Sequence, residues 1–526
     1  WPALAVGIVL SALSGLCFGY ITMRASGHYF AVSSLAFAGA CVVLLKTWES
    51  VTRGAAGIFG ISRPADIHLF GTFKIPLSTT QGMYYLVALL LMICLFVVYR
   101  LDRNNFGRRM TLIKVDPVLA GALGVDVFKF KLLAFIISAA MAGAAGGFYA
   151  SYTSYIDPSL ASYHTGFMAL VYSIVGGSGR LFGPLIGTAV VLGLGEALRI
   201  TDTLSQLFVG VALIVILLFM RDGLVGTIAG WFSGSQREPH GHGNRGSADI
   251  PVAMANHAVD EASTAVSSTP HDRPAPLLAA RNLTKSYGAV KAVDDIDITV
   301  GQGEIVGIMG PNGAGKSTLL GMISGTITSS SGEVLLDGRP VTGLKAFRRS
   351  RLGIARTFQT NRVLLDSTVH ENMLAASLSS SSAARWRGDG QADASDDGDL
   401  IARVLRSTEL TNKSDVLASA LTVEEQRLLG VAMALATRPS VLLLDEPFAG
   451  LREAEMPRLR SVLERLKGER LAIVIIEHKL KVLTTLSDYM YVLDQGKVIS
   501  SGVPGVVLND PVVIEAYLGS SHADVA

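Results

Sequence analysis

The chain has 526 residues, half of them hydrophobic, with 17% charged residues and a net charge of only +2. This length allows two or more domains, and so small a net charge argues against nucleic acid as a partner. The averages hide a split, because long apolar runs fill residues 1–230 whereas residues 276–526 have the composition of a soluble domain. The cysteines Cys17, Cys41 and Cys94 all lie in apolar runs, which predicts small buried side chains and neither a disulfide framework nor a metal site.

The first 230 residues contain enough apolar runs for several membrane spans, since one span needs roughly 20 apolar residues. The runs lie at residues 3–23, 30–46, 83–99, 132–150, 165–177, 181–198 and 203–220. The second and the fifth are short, so they fit either spans or re-entrant segments. Small residues crowd the stretch 139–147, which favours close helix packing in lipid. We expect an all-α polytopic membrane domain.

The distribution of lysine and arginine predicts how these spans are oriented. The connection at residues 100–131 is rich in such residues, namely Arg100, Arg103, Arg108, Arg109, Lys114, Lys129 and Lys131. We therefore place this connection in the cytoplasm. Counting spans from it adds Arg24, Arg180 and Arg221 to the cytoplasmic side. The external side receives residues 47–82, 151–164 and 199–202. Trp1 also falls outside, which agrees with a lost or truncated N-terminal span.

The centre of this cytoplasmic connection, residues 114–126, is predicted to form a short helix bounded by turn residues. One interpretation of this connection is a solvated cytoplasmic loop that follows the charge bias of membrane proteins. The other interpretation is a helix that docks into a groove of an ATPase and transmits motion. The residues alone leave both interpretations open.

Residues 232–275 are rich in Ser, Gly, Pro, His and Ala and show no apolar period, which predicts a disordered linker. The pair His240 and His242 could bind a metal, but no further ligands stand at a fixed spacing, so a solvated linker is the better interpretation. We therefore expect a membrane domain at residues 1–231 and a second domain at residues 276–520, joined by this linker.

A glycine-rich loop follows a buried strand and precedes an apolar helix in the second half of the chain. Residues 304–309 form the strand by pattern, and residues 310–318 read Gly-Pro-Asn-Gly-Ala-Gly-Lys-Ser-Thr. This order is the context that a P-loop requires, because its glycines let backbone N–H groups surround phosphate oxygens at a helix N-terminus. Lys316 is expected to reach the β- and γ-phosphates of a nucleotide, and Ser317 to hold Mg²⁺. Tyr287 could stack on an adenine ring, although on its own it fits an ordinary core or surface aromatic residue equally well. The predicted nucleotide-binding residues are thus Tyr287, Gly310, Asn312, Gly313, Ala314, Gly315, Lys316, Ser317 and Thr318.

Two further strands end in side chains that suit phosphate hydrolysis. The apolar residues 441–444 lead into Asp445 and Glu446, and residues 471–476 lead towards His478. Asp445 is expected to bind Mg²⁺ through its water shell, and Glu446 to polarise the attacking water. Because a P-loop stands upstream, a contact with the γ-phosphate is a better interpretation of His478 than a purely structural role.

Together these ordered motifs resemble the ATP-binding cassette (ABC) family over about residues 275–520. The resemblance rests on Tyr287, the P-loop, Gln359 in Thr-Phe-Gln-Thr, the pair Asp445 and Glu446, and His478. It implies an α/β P-loop ATPase in which Gln359 senses Mg²⁺ and couples to a membrane subunit. It also implies that two such domains hold ATP between them, each nucleotide lying between one P-loop and the partner's signature sequence. An insert at residues 377–399, rich in Ser, Asp and Gly, is not needed by the family core and is predicted to be disordered.

More narrowly, both halves resemble the branched-chain amino acid uptake system. In the ATPase half the resemblance lies in residues 435–447 and 476–483. In the membrane half it lies in residues 27–32, 106–109, 122–126, 131–135 and 176–184. Agreement of both halves on one system is stronger than either alone. It also favours the interpretation of residues 100–131 as a coupling segment.

The stretch aligned with the family signature departs from the usual Leu-Ser-x-Gly-Gln. It consists of Leu421, Thr422, Val423, Glu424 and Glu425. Glu424 replaces a glycine whose backbone normally approaches the partner's γ-phosphate, and a negative side chain is unfavourable there. We therefore expect two unequal sites. The site formed by this chain's intact P-loop should hydrolyse ATP, and the site completed by its altered signature should be impaired.

The sequence thus predicts an ATP-driven importer of branched-chain (hydrophobic) amino acids, built as a fusion of permease and ATPase. We expect a multi-pass protein of the cytoplasmic (inner) membrane with its ATPase in the cytoplasm. The resemblance implies a second permease, a second ATPase and an external solute-binding protein as partners, and ATP and Mg²⁺ as cofactors. The alternatives are an importer of urea or short amides, an exporter of lipids or drugs, and a regulator that transports nothing.

Overall fold

The computed structural model describes residues 1–23, 28–69, 73–75, 77–177, 179–197, 223–227, 275–359, 362–378 and 396–518. The chain divides into two compact units, one formed by Trp1–Leu101 with Lys131–Val266 and the other by Asp102–Phe130 with Ser267–Ala526. The basic connection between the predicted spans therefore belongs to the unit that carries the P-loop. The predicted span at 203–220 and residues 232–274 of the predicted linker lie outside the described residues.

The first part of the chain is built mainly from helices. In chain order these helices are α1 (Pro2–Thr22), α2 (His28–Thr47), α3 (Glu49–Thr52), α4 (Thr80–Arg103), α5 (Asn105–Val115), α6 (Pro117–Ala122), α7 (Val127–Thr153), α8 (Tyr163–Gly176) and α9 (Gly183–Ala197). Short strands lie between them, β1 (Ile58–Phe59), β2 (Ile67–Leu69), β3 (Phe73–Ile75) and β4 (Tyr155–Ile156). β1 pairs with β4 and β2 pairs with β3, both antiparallel.

Among the described residues, three helices are long and apolar enough to cross a membrane, namely α1, α4 and α7. They match the first, third and fourth predicted spans. The number rises to four if the pair Val32–Thr47 and Glu49–Ala56, bent by 76°, is counted as one broken span. That pair covers most of the second predicted span, and its bend fits the expectation that this short apolar run forms either a span or a re-entrant segment. The fifth and sixth predicted spans are shorter helices of 14 and 15 residues, α8 and α9.

Small residues let α1 and α7 pack closely together. A Cβ atom added to Gly143 on α7 would lie 2.5 Å from the Cβ atom of Ser11. One added to Gly15 on α1 would lie 2.6 Å from the Cβ atom of Ala139. Both distances are well below van der Waals contact, so the helices keep this spacing only with glycine at these positions. The prediction that the small residues at 139–147 serve close helix packing is confirmed.

The second unit combines two sheets with surrounding helices. Its strands are β5 (Pro276–Tyr287), β6 (Val290–Gly301), β7 (Ile305–Met309), β8 (Ser331–Leu336), β9 (Arg339–Pro340), β10 (Ile354–Arg356), β11 (Val441–Asp445), β12 (Ala472–Ile476), β13 (Tyr489–Asp494) and β14 (Lys497–Gly502). Its further helices are α10 (Lys316–Ser324), α11 (Ala346–Leu352), α12 (Val369–Ser377), α13 (Asp396–Ser407), α14 (Val423–Leu435), α15 (Met456–Gly468), α16 (Leu480–Leu486), α17 (Pro504–Val507) and α18 (Pro511–Leu518). The sheet orders are β10-β11-β12-β7-β13-β14 and β6-β5-β8-β9.

Both faces of the strands β7, β11 and β12 in the six-stranded sheet are buried, and successive residues along β11 alternate between two cores. On β11, Leu442 and Leu444 belong to one core, while Val441 and Leu443 belong to the other. A parallel strand covered on both faces needs such an unbroken apolar run. Because β11, β12 and β7 pair in parallel, their carboxyl ends lie at one edge of the sheet. The predicted site residues follow these carboxyl ends.

The basic connection packs into the ATPase unit and does not stand free in solvent. Leu112 on α5 and Ala120 on α6 are completely buried, in the same core as residues of α12 and α14. The carboxylate of Asp116 caps α6, accepting hydrogen bonds from the N–H groups of Val118 at 2.7 Å and Leu119 at 3.1 Å. Of the two interpretations left open by the sequence, the structure favours a docked helix over a solvated loop.

Helices occupy both ends of the insert that is predicted to be disordered. Ser377 is the last residue of α12, and residues 396–399 belong to α13. The face of α13 that carries Leu400 and Ile401 is buried, and the aspartates that begin the helix suit the positive end of the helix dipole. The prediction of disorder is therefore wrong at both ends of the insert, and residues 379–395 lie outside the described residues.

Candidate nucleotide-binding and hydrolysis site

The glycine-rich loop joins β7 to α10 and turns on glycines that admit no side chain. Gly310 has a φ angle of 153°, and a Cβ atom on it would lie 2.1 Å from the carbonyl oxygen of Leu493. Gly315 has a φ angle of 97°, and its Cβ atom would lie 2.2 Å from the carbonyl oxygen of Ala292. In the described structure, α10 then begins with no side-chain cap and no acidic residue in its first turn. Its N–H groups and the positive end of its dipole therefore suit an anion.

Lys316 lies at the start of α10, inside this loop. Its ammonium group donates hydrogen bonds to the carbonyl oxygens of Gly310 at 2.7 Å and Pro311 at 2.8 Å. Burial lowers the pKa of Lys316, and the nearby carboxylates of Glu446 and Asp445 oppose that shift. An ammonium group held by two carbonyl oxygens can exchange them for phosphate oxygens without moving far, which suits the role predicted for Lys316.

The remaining predicted nucleotide-binding residues differ in exposure. Asn312, Gly313 and Ser317 are exposed, Thr318 is half-buried and Ala314 is buried. Tyr287 ends β5 with its side chain 52% exposed. The ammonium group of Lys285 lies 5.0 Å from the centre of the Tyr287 ring. A half-exposed aromatic ring can stack on a base, and the adenine contact of Tyr287 stays a prediction.

Three predicted catalytic side chains meet at the carboxyl edge of the parallel sheet. The amide of Gln359 donates a hydrogen bond to Oε2 of Glu446 at 2.8 Å. Nε2 of His478 lies 3.1 Å from Oε1 of Glu446. The parallel pairing of β11 with β12 places Asp445 opposite Ile476, so the residues that follow the two strands are neighbours. The Glu446 carboxylate is thus contacted on both oxygens.

Asp445 is held by an arginine that the sequence did not single out. Nη2 of Arg356 lies 2.8 Å from Oδ2 of Asp445, and both side chains are almost fully buried. Nη1 of Arg356 also contacts the hydroxyl groups of Ser324 at 3.3 Å and Thr326 at 3.2 Å. One signal for this pair is present in the sequence, because Arg356 directly follows two apolar strand residues and a buried arginine requires a partner.

The site residues fit an Mg²⁺ ion that is held jointly with nucleotide phosphates. Among the described residues, no group of three or more His, Cys, Asp or Glu side chains could hold a metal ion. Mg²⁺ is usually bound through one or two carboxylates together with substrate phosphates, and water fills much of the rest of its octahedron. The hydroxyl of Ser317, the carboxylate oxygen of Asp445 that Arg356 leaves free, and the amide oxygen of Gln359 are suitable protein ligands.

The docked segment is connected with Asp445 by a series of side-chain contacts. Asp116 forms an ion pair with Arg362. The guanidinium carbon of Arg362 lies 4.5 Å from the ring centre of Phe358, and that of Arg356 lies 5.3 Å from the same centre. Since Arg356 pairs with Asp445, a displacement of the docked segment can reach the carboxylate predicted to bind Mg²⁺.

The altered signature begins α14 with a capping box. The Thr422 hydroxyl accepts a hydrogen bond from the N–H of Glu425 at 3.2 Å, and the Glu425 carboxylate accepts one from the N–H of Thr422 at 3.0 Å. Oε1 of Glu424 lies 3.9 Å from Nε of Arg458 on α15, and burial raises the pKa of Glu424. The negative charge expected to face a partner's phosphate therefore lies beside an arginine of its own chain. Of the other signature residues, Leu421 is buried and Val423 is exposed.

Family models match most of the chain. Residues 1–220 match the permease component of the branched-chain amino acid transport system. Residues 293–449 match the ABC transporter model. Residues 497–523 match the model of the branched-chain amino acid ATP-binding cassette transporter. Two models of the same transport system thus lie on either side of the ATPase core.

Known relatives match about half of the chain over nearly their whole length. The chain is 33% identical over 258 residues to the high-affinity branched-chain amino acid transport ATP-binding protein BraF of Pseudomonas aeruginosa, covering 47% of this chain and 99% of that protein. It is 34% identical over 252 residues to LivG of Salmonella typhimurium, with 47% and 99% covered. It is 32% identical over 243 residues to the lipopolysaccharide export system ATP-binding protein LptB of Haemophilus influenzae, with 46% and 97% covered. A solved nucleotide-free ATP-binding cassette from an ABC transporter is 29% identical, with a TM-score of 0.42 over 46% of this chain and 99% of that one.

The phosphate cradle, the acidic pair at the sheet edge and the long apolar helices define an ATP-driven membrane transporter. Its α/β half binds nucleotide and hydrolyses ATP, coupled to transport through a helical membrane half. The chain belongs to the ABC transporter family and joins a permease of the branched-chain amino acid transport type to its ATP-binding subunit in one polypeptide.

Proposed function

We propose that this chain imports branched-chain amino acids across the cytoplasmic membrane, driven by ATP hydrolysis. The observation that carries the proposal is the agreement of both halves, since residues 1–220 and residues 497–523 match models of one transport system. The ATPase half alone does not decide direction, because its similarity to an export protein is nearly as high as to uptake proteins.

The proposed orientation places the ATPase and the connection at residues 100–131 in the cytoplasm. Two independent observations support it. The connection is rich in lysine and arginine, as cytoplasmic loops are. It also packs into the core of the ATPase unit through residues such as Leu112 and Ala120, so the two must lie on the same side of the membrane.

In the proposed mechanism, Lys316 and the N-terminus of α10 bind the β- and γ-phosphates of ATP, and Tyr287 stacks on the adenine. Ser317, Asp445 and Gln359 would hold Mg²⁺, which when bound neutralises charge on the phosphates. Arg356 keeps one oxygen of Asp445 occupied, so the other oxygen would be the one that contacts Mg²⁺.

Glu446 acts as the general base in this proposal. It takes a proton from the water molecule whose oxygen attacks the γ-phosphorus, and the bond from that phosphorus to the bridging oxygen of ADP breaks. Gln359 and His478 orient its carboxylate, as their distances of 2.8 and 3.1 Å from it indicate. Because His478 is 43% exposed, it can also turn to contact the γ-phosphate.

The docked segment transmits closure of the ATPase to the membrane helices. Arg109 donates a hydrogen bond to the carbonyl oxygen of Leu378 at 2.9 Å, and Arg351 donates one to the carbonyl oxygen of Gly124 at 3.0 Å. Together with the ion pair of Asp116, these bonds anchor the segment at both ends and in its middle. ATP binding closes two ATPase domains, the segment follows, and it pulls on α4 and α7, with which it is continuous in sequence.

One permease and one ATPase form half of a transporter of this kind. The proposal therefore includes a second permease, a second ATPase and a solute-binding protein on the external side. The site completed by this chain's signature is impaired by Glu424, whereas the site with its P-loop is active. A different ATPase is the expected partner, because a second copy of this chain would impair both sites.

Uptake of labelled substrates tests which solute is carried. In a strain that lacks only this chain, uptake of labelled leucine should fall to background and return when the chain is supplied, while uptake of labelled urea stays unchanged. Loss of urea uptake with intact leucine uptake would contradict the assignment to branched-chain amino acids.

Reconstituted vesicles test the direction of transport. ATP hydrolysis by an importer should rise when the solute-binding protein, loaded with leucine, is added on the side opposite the ATPase. Stimulation by substrate alone, without that protein, would indicate an exporter. Hydrolysis without any net flux of solute would indicate a regulator.

A further inference from the structure

Glu446 is held in a backbone conformation that residues other than glycine rarely adopt. Its φ angle is 49°, in the left-handed region. The next residue is Pro447, which further restricts the backbone before it. A residue stays in such a conformation only where its surroundings hold it there. Whatever fixes the backbone of Glu446 also fixes the direction in which its side chain leaves the main chain.

A buried carboxylate holds the chain that follows Glu446. The side chain belongs to Glu477, which is only 3% exposed. Its Oε1 accepts a hydrogen bond from the N–H of Phe448 at 2.7 Å, and its Oε2 accepts one from the N–H of His478 at 3.2 Å. Burial raises the pKa of Glu477, and these backbone hydrogen bonds oppose that shift. A single carboxylate thus joins the segment after Glu446 to the segment that carries His478.

Lys479 contacts the carbonyl group of Phe448, whereas Glu477 contacts its N–H group. Its ammonium group donates hydrogen bonds to the carbonyl oxygens of Phe448 at 3.2 Å and Leu451 at 3.1 Å. The N–H of Glu446 itself donates to the carbonyl oxygen of Ile476 at 2.9 Å. Residues 476–479 therefore bind the backbone at Glu446 and on both sides of Phe448.

These backbone contacts differ from that of His478, which lies 3.1 Å from the Glu446 carboxylate itself. We propose that Glu477 and Lys479 form a clamp that positions Glu446 for proton transfer from the attacking water. Both are positioning residues, because they act through the backbone of residues 446–451. The inference rests on the role of Glu446 proposed above.

Turnover and affinity separate this positioning role from a role in folding. Both variants are made in the complete purified transporter. Glu477→Gln replaces one of the two accepting carboxylate oxygens with an NH₂ group, which cannot accept a hydrogen bond from a backbone N–H. Lys479→Met removes the ammonium group. Since misplacement of a reacting group lowers kcat without weakening binding, we expect kcat for ATP hydrolysis to fall at least about 10-fold with KM for ATP within about twofold.

Matched variants show whether the loss is specific. Lys481 is exposed on α16, two residues beyond Lys479. Lys481→Met should keep wild-type kcat and KM. Lys479→Arg keeps a long cationic donor, so it should recover most of the turnover that Lys479→Met loses.

Removing the base itself gives a second test. In a Glu446→Gln background the clamp has no base to position. Adding Glu477→Gln or Lys479→Met should then cause no further loss of residual turnover, and the affinity for ATP should stay unchanged.

Wild-type kcat in both Glu477→Gln and Lys479→Met would overturn the clamp. A loss of turnover that comes with an equal loss of ATP affinity, or that adds fully to the effect of Glu446→Gln, would also overturn it, because a folding defect has those effects. Undiminished turnover in Glu446→Gln alone would instead contradict the proposed role of Glu446 and remove the premise of the clamp. The two failures can therefore be told apart.

Discussion

Two helices of the ATPase, both expected to meet phosphate, begin in opposite ways. α10 follows the glycine-rich loop, has no side-chain cap, and starts with Lys316. α14 starts at Thr422 with a complete capping box, and its first turn carries Glu424 and Glu425. The start of α10, called here the open helix start, leaves its N–H groups and its positive dipole end available to an anion. The start of α14, the closed helix start, satisfies N–H groups with its own side chains and adds negative charge.

The difference shows that a helix N-terminus is an anion site only when its own sequence leaves it unsatisfied. Capping boxes stabilise helices by supplying the oxygen atoms that a phosphate would otherwise supply. In α14 the same residues that make a good helix start make a poor phosphate ligand. We infer from this comparison one strong and one weak phosphate site per chain.

Removing the cation from the open helix start should have the largest effect. Lys316→Ala deletes charged hydrogen bonds, which contribute about 1.5–3 kcal/mol each, so MgATP should bind at least about 10-fold more weakly. Titration of the purified transporter with a fluorescent ATP analogue measures this.

Lys345 offers a matched control, because it is exposed at the start of α11. Lys345→Ala should bind MgATP as the wild type does. If Lys316→Ala also bound it with wild-type affinity, the start of α10 would not be the phosphate site and the comparison of the two helix starts would fail.

Restoring a glycine to the closed helix start should make the two sites more alike. Glu424→Gly removes the carboxylate that stands beside Arg458, and Arg458 keeps its ion pair with Glu409 at 3.1 Å. If the ATP site completed by this chain's signature is idle in the wild type, ATP turnover per transporter should rise by up to about twofold. The reason is that a repelling charge no longer opposes the transferred phosphate. Steady-state phosphate release measures this.

Glu424→Ala separates charge from backbone freedom. It removes the carboxylate without adding glycine flexibility, so part of the gain should remain if charge is the main obstacle. A turnover unchanged from the wild type in both variants would show that Glu424 does not limit the second site.

Local runs of residues made much of the ATPase predictable. The apolar residues 441–444 predict a strand buried on both faces, as β11 is. The glycine loop could likewise be predicted, because its residues are neighbours in both sequence and fold. The surface against which residues 102–130 pack could not be predicted from the residues themselves. Their charge bias predicts only the side of the membrane on which the segment lies.

The missed parts of the site are pairings between distant residues. Arg356 and Asp445 are 89 residues apart, and Asp116 and Arg362 are 246 apart. No spacing rule connects such positions, since only the tertiary fold brings them together. The position of the Glu424 carboxylate was missed for the same reason, because its neighbour Arg458 lies on another helix.

Removing the cap of α14 should destabilise the ATPase without affecting the P-loop site. Thr422→Ala loses the oxygen that accepts the N–H of Glu425, and such N-cap losses cost about 1 kcal/mol. Thermal unfolding of the purified transporter should show a lower midpoint, with unchanged affinity for MgATP at the P-loop. Thr422→Ser, which keeps the hydroxyl, should unfold as the wild type does. An unchanged midpoint in Thr422→Ala would mean that the capping box contributes nothing to the closed helix start.

The smallest expected effect is a dependence of stability on pH at Glu424. Burial raises the pKa of Glu424, so its protonated form is favoured more in the folded state than in the unfolded state. The stability that comes from protonation is present below the unfolded pKa and is lost as pH rises through the raised pKa. Glu424→Gln cannot ionise, so its unfolding midpoint should exceed that of the wild type near neutral pH and approach it on acidification to about pH 4. A difference in midpoint that stays constant across this range would show that the Glu424 charge is fully compensated by Arg458, and the closed helix start would then owe its weakness to the capping box alone.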